Sequence, residues 1–450
     1  MNEHTTPDTG AVETPDGACP AITRRRFIAA LGASVATVAV GGYGISVWGK
    51  NPTATTVAPT GVLQAATTAP TVGSLGSATG RTLVVVEMGG GNDGLNTVVP
   101  FASGRYHDLR GDLAIDEPLD LDGEIGLHPA LTFLADRYDA GDVAIVEGIG
   151  YPDPDLSHFA SMATWWSGLP GSVGATGWLG RYLDGTVGSE DPLAGVTIGP
   201  GPTPALLGER SFQVSVQDMS GLAPAVPGWI DDTDELMAMW QGFAPGDFDG
   251  AVLLDLVRAA IGITVDAANE LNAKLDGAPA DDPTPAGRRR RSDLGTSMEV
   301  AAALVTAPGP PAVVYVHGWG DFDTHEGQAD RHQGMMETLN EALGDFFDAV
   351  EAAAVQDRVI VMTTSEFGRR PAFNGSGTDH GTANAHFLVG APVAGGRYGE
   401  TPSLVDLDRR GNMIHTVDYR SVFASVLTGW FGADAETIFG ADLETLPLLG

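Results

Sequence analysis

Beyond residue 80, short runs of β-branched and aliphatic residues recur along the chain, each bounded by glycine, proline or polar positions. They are 82–88 (TLVVVEM), 142–146 (DVAIV), 311–316 (PAVVYV), 358–363 (RVIVMT) and 387–389 (FLV). Compact apolar runs of this length are the pattern of strands buried on both faces. Each follows a helical or loop segment, which predicts an α/β fold with a mainly parallel central sheet flanked by crossover helices. Residues 328–353 (QADRHQGMMETLNEALGDFFDAVEAA) have apolar positions at helical spacing, and so do 248–275. The latter run into a Pro-rich polar stretch with Arg288–Arg291, read as a solvated loop.

The N-terminal 80 residues are different in kind. Residues 23–28 (TRRRFI) carry a twin-arginine signature, followed to about residue 48 by an apolar run rich in Gly, Ala, Ser and Thr. A membrane span is the competing reading of that run, but its small residues make it only weakly hydrophobic. The expected organisation is a signal segment at 1–50, an Ala/Thr/Pro/Gly-rich linker at 51–80 and one domain at 81–450 with an elaborated middle at about 165–300. The expected partner at this stage is the twin-arginine export machinery. The mature protein is then extracytoplasmic, secreted or in the cell envelope, with no stable membrane span.

Charge narrows the function classes. The formal net charge is -34, and it belongs to the domain, because Arg24, Arg25, Arg26 and Lys50 balance Glu3, Asp8, Glu13 and Asp16. Such a surface repels nucleic acid and anionic lipid. The single cysteine, Cys19, precedes the export run, so the domain has no thiol for a disulfide or a cysteine-based zinc site. Any metal must be held by histidine and carboxylate.

In open α/β sheets ligands bind beyond the carboxyl ends of the strands, and the residues that follow these runs share a chemistry. Asn92, Asp93 and Asn96 follow the first run in a glycine-rich loop. Asp321, Asp323 and His325 follow the third, Glu366 and Arg369 the fourth, and Asp379-His380 precede the last. Imidazole with carboxylate at such spacing suits a divalent metal such as zinc, manganese or iron, while Asp323 and Thr324 also fit ordinary helix capping. Asn92-Asp93-Gly94 also reads as turn chemistry. Arg369 suits a phosphate or sulfate group, or a salt bridge to Glu366. After the second run, Ser157 and His158 stand at a loop-to-helix junction. A serine beside a metal there can attack phosphorus or sulfur, and the same serine fits a helix N-cap. His158 is placed to orient Ser157, bind substrate or pack on Trp165. His317 is near the rim, and His128, His332, His386 and His415 read as structural.

These stretches resemble a family of twin-arginine-exported bacterial proteins catalogued as domain of unknown function 1501, related to the alkaline phosphatase and sulfatase superfamily. The resemblance rests on GGNDGLNTVVP (90–100), GLHPAL (126–131), SHF (157–159), GWLGRYLD (177–184), DTH (323–325), SEFGR (365–369) and GTDHG (377–381). It implies an alkaline-phosphatase-like three-layer sandwich. It also implies Asp93 as an early metal ligand, Ser157 as nucleophile, Asp321 or Asp323 with His325 as a second ligand set, and His380 as a late ligand. Glu366-Phe367 departs from the superfamily's Asp-His, so one metal site loses an imidazole. Either a single ion held by His325, His380 and an Asp, or a pair whose second, oxygen-ligated site uses Asp93, Glu366 and Ser157, remains open.

The function expected is therefore an exported hydrolase of phosphate or sulfate esters that uses one or two divalent ions (zinc, manganese, calcium or iron). Its substrate would be an anionic ester. The alternative is a non-catalytic extracytoplasmic binding protein that keeps the fold and a degenerate metal site, and the loss of coordination at Phe367 favours it.

Overall fold

The computed structural model describes residues 80–171, 176–186, 191, 193–211, 213–216 and 294–450. The twin-arginine segment, the linker up to residue 79, the 248–275 helix and Arg288–Arg291 lie outside the described residues. Among those described, no helix is long and apolar enough to cross a membrane.

A nine-stranded sheet organises the chain. Its order is Gly396–Tyr398, Val143–Gly150, Asn384–Val389, Val359–Thr364, Thr82–Glu87, Val313–Val316, Gly195–Ile198 and Val214–Val216, with Val417–Asp418 also pairing to Val143–Gly150. The central Thr82–Glu87 strand is parallel to both neighbours, with Val84 opposite Val314 on one side and Val361 on the other. All six of its residues are buried, as the unbroken apolar run predicted. Only Asn384–Val389 runs against its neighbours. It is reached from the hairpin Arg369–Phe373/Thr378–His380 without a crossover helix, and a strand entered this way arrives from the opposite end of the sheet. The last two strands of the order fall inside the middle region and had no counterpart among the predicted runs.

Alternate residues of the central strand serve different cores. Val84 and Val86 pack with Leu339, Leu343 and Phe346 of helix Gln328–Ala352 and with Val300 and Leu304 of helix Leu294–Thr306. Leu83 and Val85 pack on the other face with Trp165, Trp178, Phe423 and Leu427. These belong to helices His158–Ser167, Trp178–Thr186 and Tyr419–Gly429. Helices on both faces of a mostly parallel sheet make the flanked sheet that the residue pattern predicted. The carboxyl ends of Thr82–Glu87, Val143–Gly150, Val313–Val316 and Val359–Thr364 share one edge, and the antiparallel Asn384–Val389 strand begins there. Every candidate site loop therefore leaves or enters the sheet at that edge.

Candidate metal centre

Three imidazoles and one carboxylate meet above this edge. His325 Nε2 lies 3.1 Å from Asp323 Oδ1, His380 Nε2 lies 3.0 Å from the same oxygen, and the two Nε2 atoms are 3.0 Å apart. His158 Nε2 approaches the other Asp323 oxygen at 3.6 Å. His158, Asp323 and His380 also offer ligand atoms within 4.8 Å of one another. The four side chains are between 22% and 43% exposed, so the cluster is open to solvent.

The outer nitrogen of each ring faces an acceptor. His158 Nδ1 meets Glu366 Oε1 at 2.7 Å, His325 Nδ1 meets Asp379 Oδ1 at 3.3 Å, and His380 Nδ1 meets the Leu156 carbonyl at 2.9 Å. A carboxylate or carbonyl can only accept, so each Nδ1 carries a proton and, once a cation binds, each Nε2 can turn a lone pair to it. Two ring nitrogens and a carboxylate oxygen about 3 Å apart can all face one cation. A tetrahedron with arms of about 2.0–2.1 Å to nitrogen has edges of about 3.3–3.4 Å, close to the spacing found. The donor set therefore fits a single divalent ion, with Glu366, Asp379 and Leu156 orienting its ligands from outside.

The surrounding loops are built to hold this arrangement. Gly90 donates its N–H to both Glu366 oxygens, at 2.9 and 3.2 Å. A Cβ on Gly90 would lie 2.5 Å from the Asp323 nitrogen, and one on Gly91 would lie 2.3 Å from the Phe367 ring. The glycine-rich loop is thus required by the close approach of the Asp323 and Phe367 loops. The Phe367 ring in turn packs against His158 and His380, with centroids 5.0 and 4.6 Å away. Leu156, which supplies the carbonyl for His380, has φ +62°, a left-handed conformation costly for a branched side chain.

Partial burial works to raise the Asp323 carboxyl, but hydrogen bonds from Arg369 and His380 outweigh it and hold the group well below the usual carboxylate range. The Glu366 hydrogen bond raises His158, against a smaller opposing effect of burial. Asp379 is lowered because hydrogen bonds from Asn374 and His325 outweigh partial burial.

Five predicted residues have different surroundings from those expected. Asp93 is wholly buried. It accepts both from Arg110, with NH2 to Oδ1 at 2.7 Å, and from Gln328, and it caps helix Gly94–Thr97. With its oxygens engaged this way it is a structural acid. Burial would raise its carboxyl, but Arg110 holds it low. Asp321 pairs with Arg331 at 2.7 Å, so Asp323 is the aspartate that enters the cluster. Glu366 and Asp379, both predicted as ligands, contact the backs of His158 and His325 and orient those rings.

Arg369 does not present its charge to a substrate. Its guanidinium is fully buried and donates to the carbonyls of Gly91, Thr378, Gly90 and Phe322 and to Asp323. It ties three loops together and fixes Asp323. Ser157 begins helix His158–Ser167 without a side-chain cap bond, and its hydroxyl has no hydrogen bond among the described residues. His317 Nε2 donates to the Gly201 carbonyl, 2.7 Å away, and takes no part in the cluster.

A buried group that the motifs did not single out lies near Glu366. Glu87, at the end of the central strand, accepts from Trp166 Nε1 and Tyr315 OH, both at 2.7 Å, on one oxygen. It lines a small cavity of about 10 Å³ with Tyr315, Thr364 and Glu366. Burial, with Glu366 adding a little, pushes the Glu87 carboxyl up to about 7 despite the two donors.

Residues 263–437 match the family described as "Protein of unknown function (DUF1501)". The match includes the DTH, SEFGR and GTDHG motifs. A sequence search of curated proteins finds no match. Similar solved structures include Ps i-CgsB in complex with k-i-k-neocarrahexaose, at 10% identity over 82% of this chain and 75% of that one (TM-score 0.40). A protein in the alkaline phosphatase superfamily from Vibrio parahaemolyticus is 11% identical over 80% and 68% (TM-score 0.35). The alkaline phosphatase from the Antarctic bacterium TAB5 is 12% identical over 69% and 90% (TM-score 0.31).

Proposed function

We propose, on the premise that residues 263–437 belong to the DUF1501 family, that this chain is an exported, metal-dependent hydrolase of phosphate or sulfate esters. The observation that carries the reading is the convergence of the His158, His325 and His380 Nε2 atoms on Asp323, each ring with its Nδ1 at an acceptor. One divalent ion, zinc, manganese or iron, suits four such ligands. Bound there, it would polarise the ester and ease deprotonation of a nearby hydroxyl.

Ser157 is the nucleophile in this reading. Its hydroxyl is uncommitted, it precedes the ligand His158, and it sits at the N-terminus of a ten-residue helix whose dipole favours an anion. Its Oγ would form the bond to phosphorus or sulfur as the ester's alcohol departs, and water would then release the anion. Arg369 holds Asp323 in place. The transferred anionic group faces the metal ligands and the helix N-terminus. Export through the twin-arginine route, directed by residues 23–28 and followed by a linker to about residue 80, completes the proposal and suits loading of the ion before export.

The test is elemental mass spectrometry on the exported protein and on a His325→Ala/His380→Ala variant, followed by ester-hydrolysis assays with Ser157→Ala. Near-stoichiometric metal that the double variant loses, with hydrolysis that Ser157→Ala abolishes, is the expected result. Absence of metal after divalent-ion resupply overturns the reading. Metal without hydrolysis of any phosphate or sulfate ester leaves the non-catalytic binding protein.

A further inference from the structure

An aromatic ring stands bare on the residue that follows the cluster histidine His158. Phe159 is 90% exposed, the most exposed of the large hydrophobic residues in the described structure. It is the second residue of helix His158–Ser167, whose first residue points its imidazole at Asp323 and Glu366. Two positions before it is Ser157. No core contact accounts for a phenylalanine here.

A second apolar side chain rises from a segment that touches the same loops. Ile414 is 51% exposed. On one side of it the Met413 carbonyl accepts from Thr382, two residues beyond the ligand His380. On the other, His415 packs so closely on Gly150 that a Cβ there would lie 2.8 Å from its own Cβ. Gly150 ends the strand from which the Leu156–Ser157 loop departs.

The charged groups around this rim are largely acids. Asp153 and Asp155 are exposed in the loop before Ser157, and Asp379 is half-exposed behind His325. Such a rim disfavours a leaving group that carries further negative charge. It favours an uncharged body with an aromatic face, which gains by covering a solvent-exposed ring.

We propose that Phe159 is a specificity residue that packs against an uncharged aromatic leaving group of the ester. The inference deepens the hydrolase reading and rests on it. Covering a ring of this exposure in part is worth roughly a tenfold preference. Monoesters of aromatic alcohols are the substrate class that fits, and esters of anionic sugars or nucleotides are selected against.

The experiment compares metal-loaded wild type, Phe159→Ala and Phe159→Trp on 2-naphthyl and methyl phosphate and on 2-naphthyl and methyl sulfate. Binding of 2-naphthyl phosphate is followed in parallel by NMR line broadening of the naphthyl protons. The expected result is a wild-type kcat/KM about tenfold or more higher for naphthyl than for methyl esters. Phe159→Ala lowers that ratio about tenfold, leaving the part set by the better aryl leaving group, and Phe159→Trp restores it at unchanged metal content. Hydrolysis with the same ratio in wild type and Phe159→Ala overturns the inference and leaves the hydrolase reading standing. No hydrolysis, but naphthyl broadening that Phe159→Ala removes, overturns the hydrolase reading and keeps Phe159 as an aromatic-binding residue. Neither hydrolysis nor broadening overturns both.

Discussion

Glu366 and His158, 208 positions apart in sequence, are joined by a 2.7 Å contact between carboxylate and Nδ1 that aims the opposite ring nitrogen at Asp323. The carboxylate is itself held by the Gly90 N–H. The pair makes a glutamate at the end of a buried strand responsible for the direction of a ligand on another element.

Glu366→Gln removes the charge that raises His158 and leaves an amide free to turn its NH2 towards Nδ1. Loss of an orienting partner of this type commonly costs 10–100-fold in metal affinity. Competition with a fluorescent chelator is expected to show a loss in that range with the fold retained, whereas unchanged affinity removes Glu366 from the orienting role.

Arg369→Met deletes every donor of a fully buried guanidinium and strands four carbonyls and Asp323. A destabilisation of about 3 kcal/mol follows, chiefly from the stranded buried carbonyls, since Asp323 is 42% exposed, measurable by urea denaturation of the metal-free protein. An arginine that held substrate would instead change KM and leave stability almost untouched.

Asp93 and Asp323 are expected to separate cleanly. Asp93→Asn leaves the Arg110 charge buried without its counter-ion, costing about 3–5 kcal/mol of stability while the folded fraction still takes up metal. Asp323→Asn loses metal at a smaller cost in stability. Denaturation and metal analysis on both variants check this, and loss of metal from folded Asp93→Asn would return Asp93 to the ligand set.

Glu87 predicts a pH dependence. Its carboxyl, raised to about 7 in the fold by burial, binds its proton more tightly there than in the unfolded chain. It therefore favours folding at low pH, and that contribution falls away as pH rises from about 4.5 towards about 7. The loss is on the order of 3 kcal/mol. Glu87→Gln keeps an acceptor for Trp166 and Tyr315, so it flattens this slope and is more stable than wild type at pH 8. Parallel stability–pH curves for the two proteins would refute the assignment.

Much of the architecture was present in the pattern of residues. Unbroken apolar runs marked five strands of the sheet because a strand covered on both faces has no polar side to interrupt it. The helical spacing of 328–353 agrees to one residue with Gln328–Ala352. The short strands Gly195–Ile198 and Val214–Val216 escaped because Thr197 and Ser215 break their apolar runs. The direction of Asn384–Val389 depends on how the chain enters it, which composition does not encode.

At the site, the residue types and the rim that carries them were set by sequence: histidines and acids after strand ends, and no cysteine to compete. Which of them meet was decided by tertiary packing. Asp321 and Asp323 are two positions apart in one loop, and spacing cannot choose between them; Arg331 takes one and Arg369 with His380 takes the other. Asp93 reads as a ligand until Arg110 and Gln328 arrive from other elements to occupy its oxygens. Arg369 reads as an anion binder until four backbone carbonyls claim it. Contacts near 3 Å are fixed by how loops from different strands stack, and that stacking is a property of the folded sheet edge, absent from any one segment.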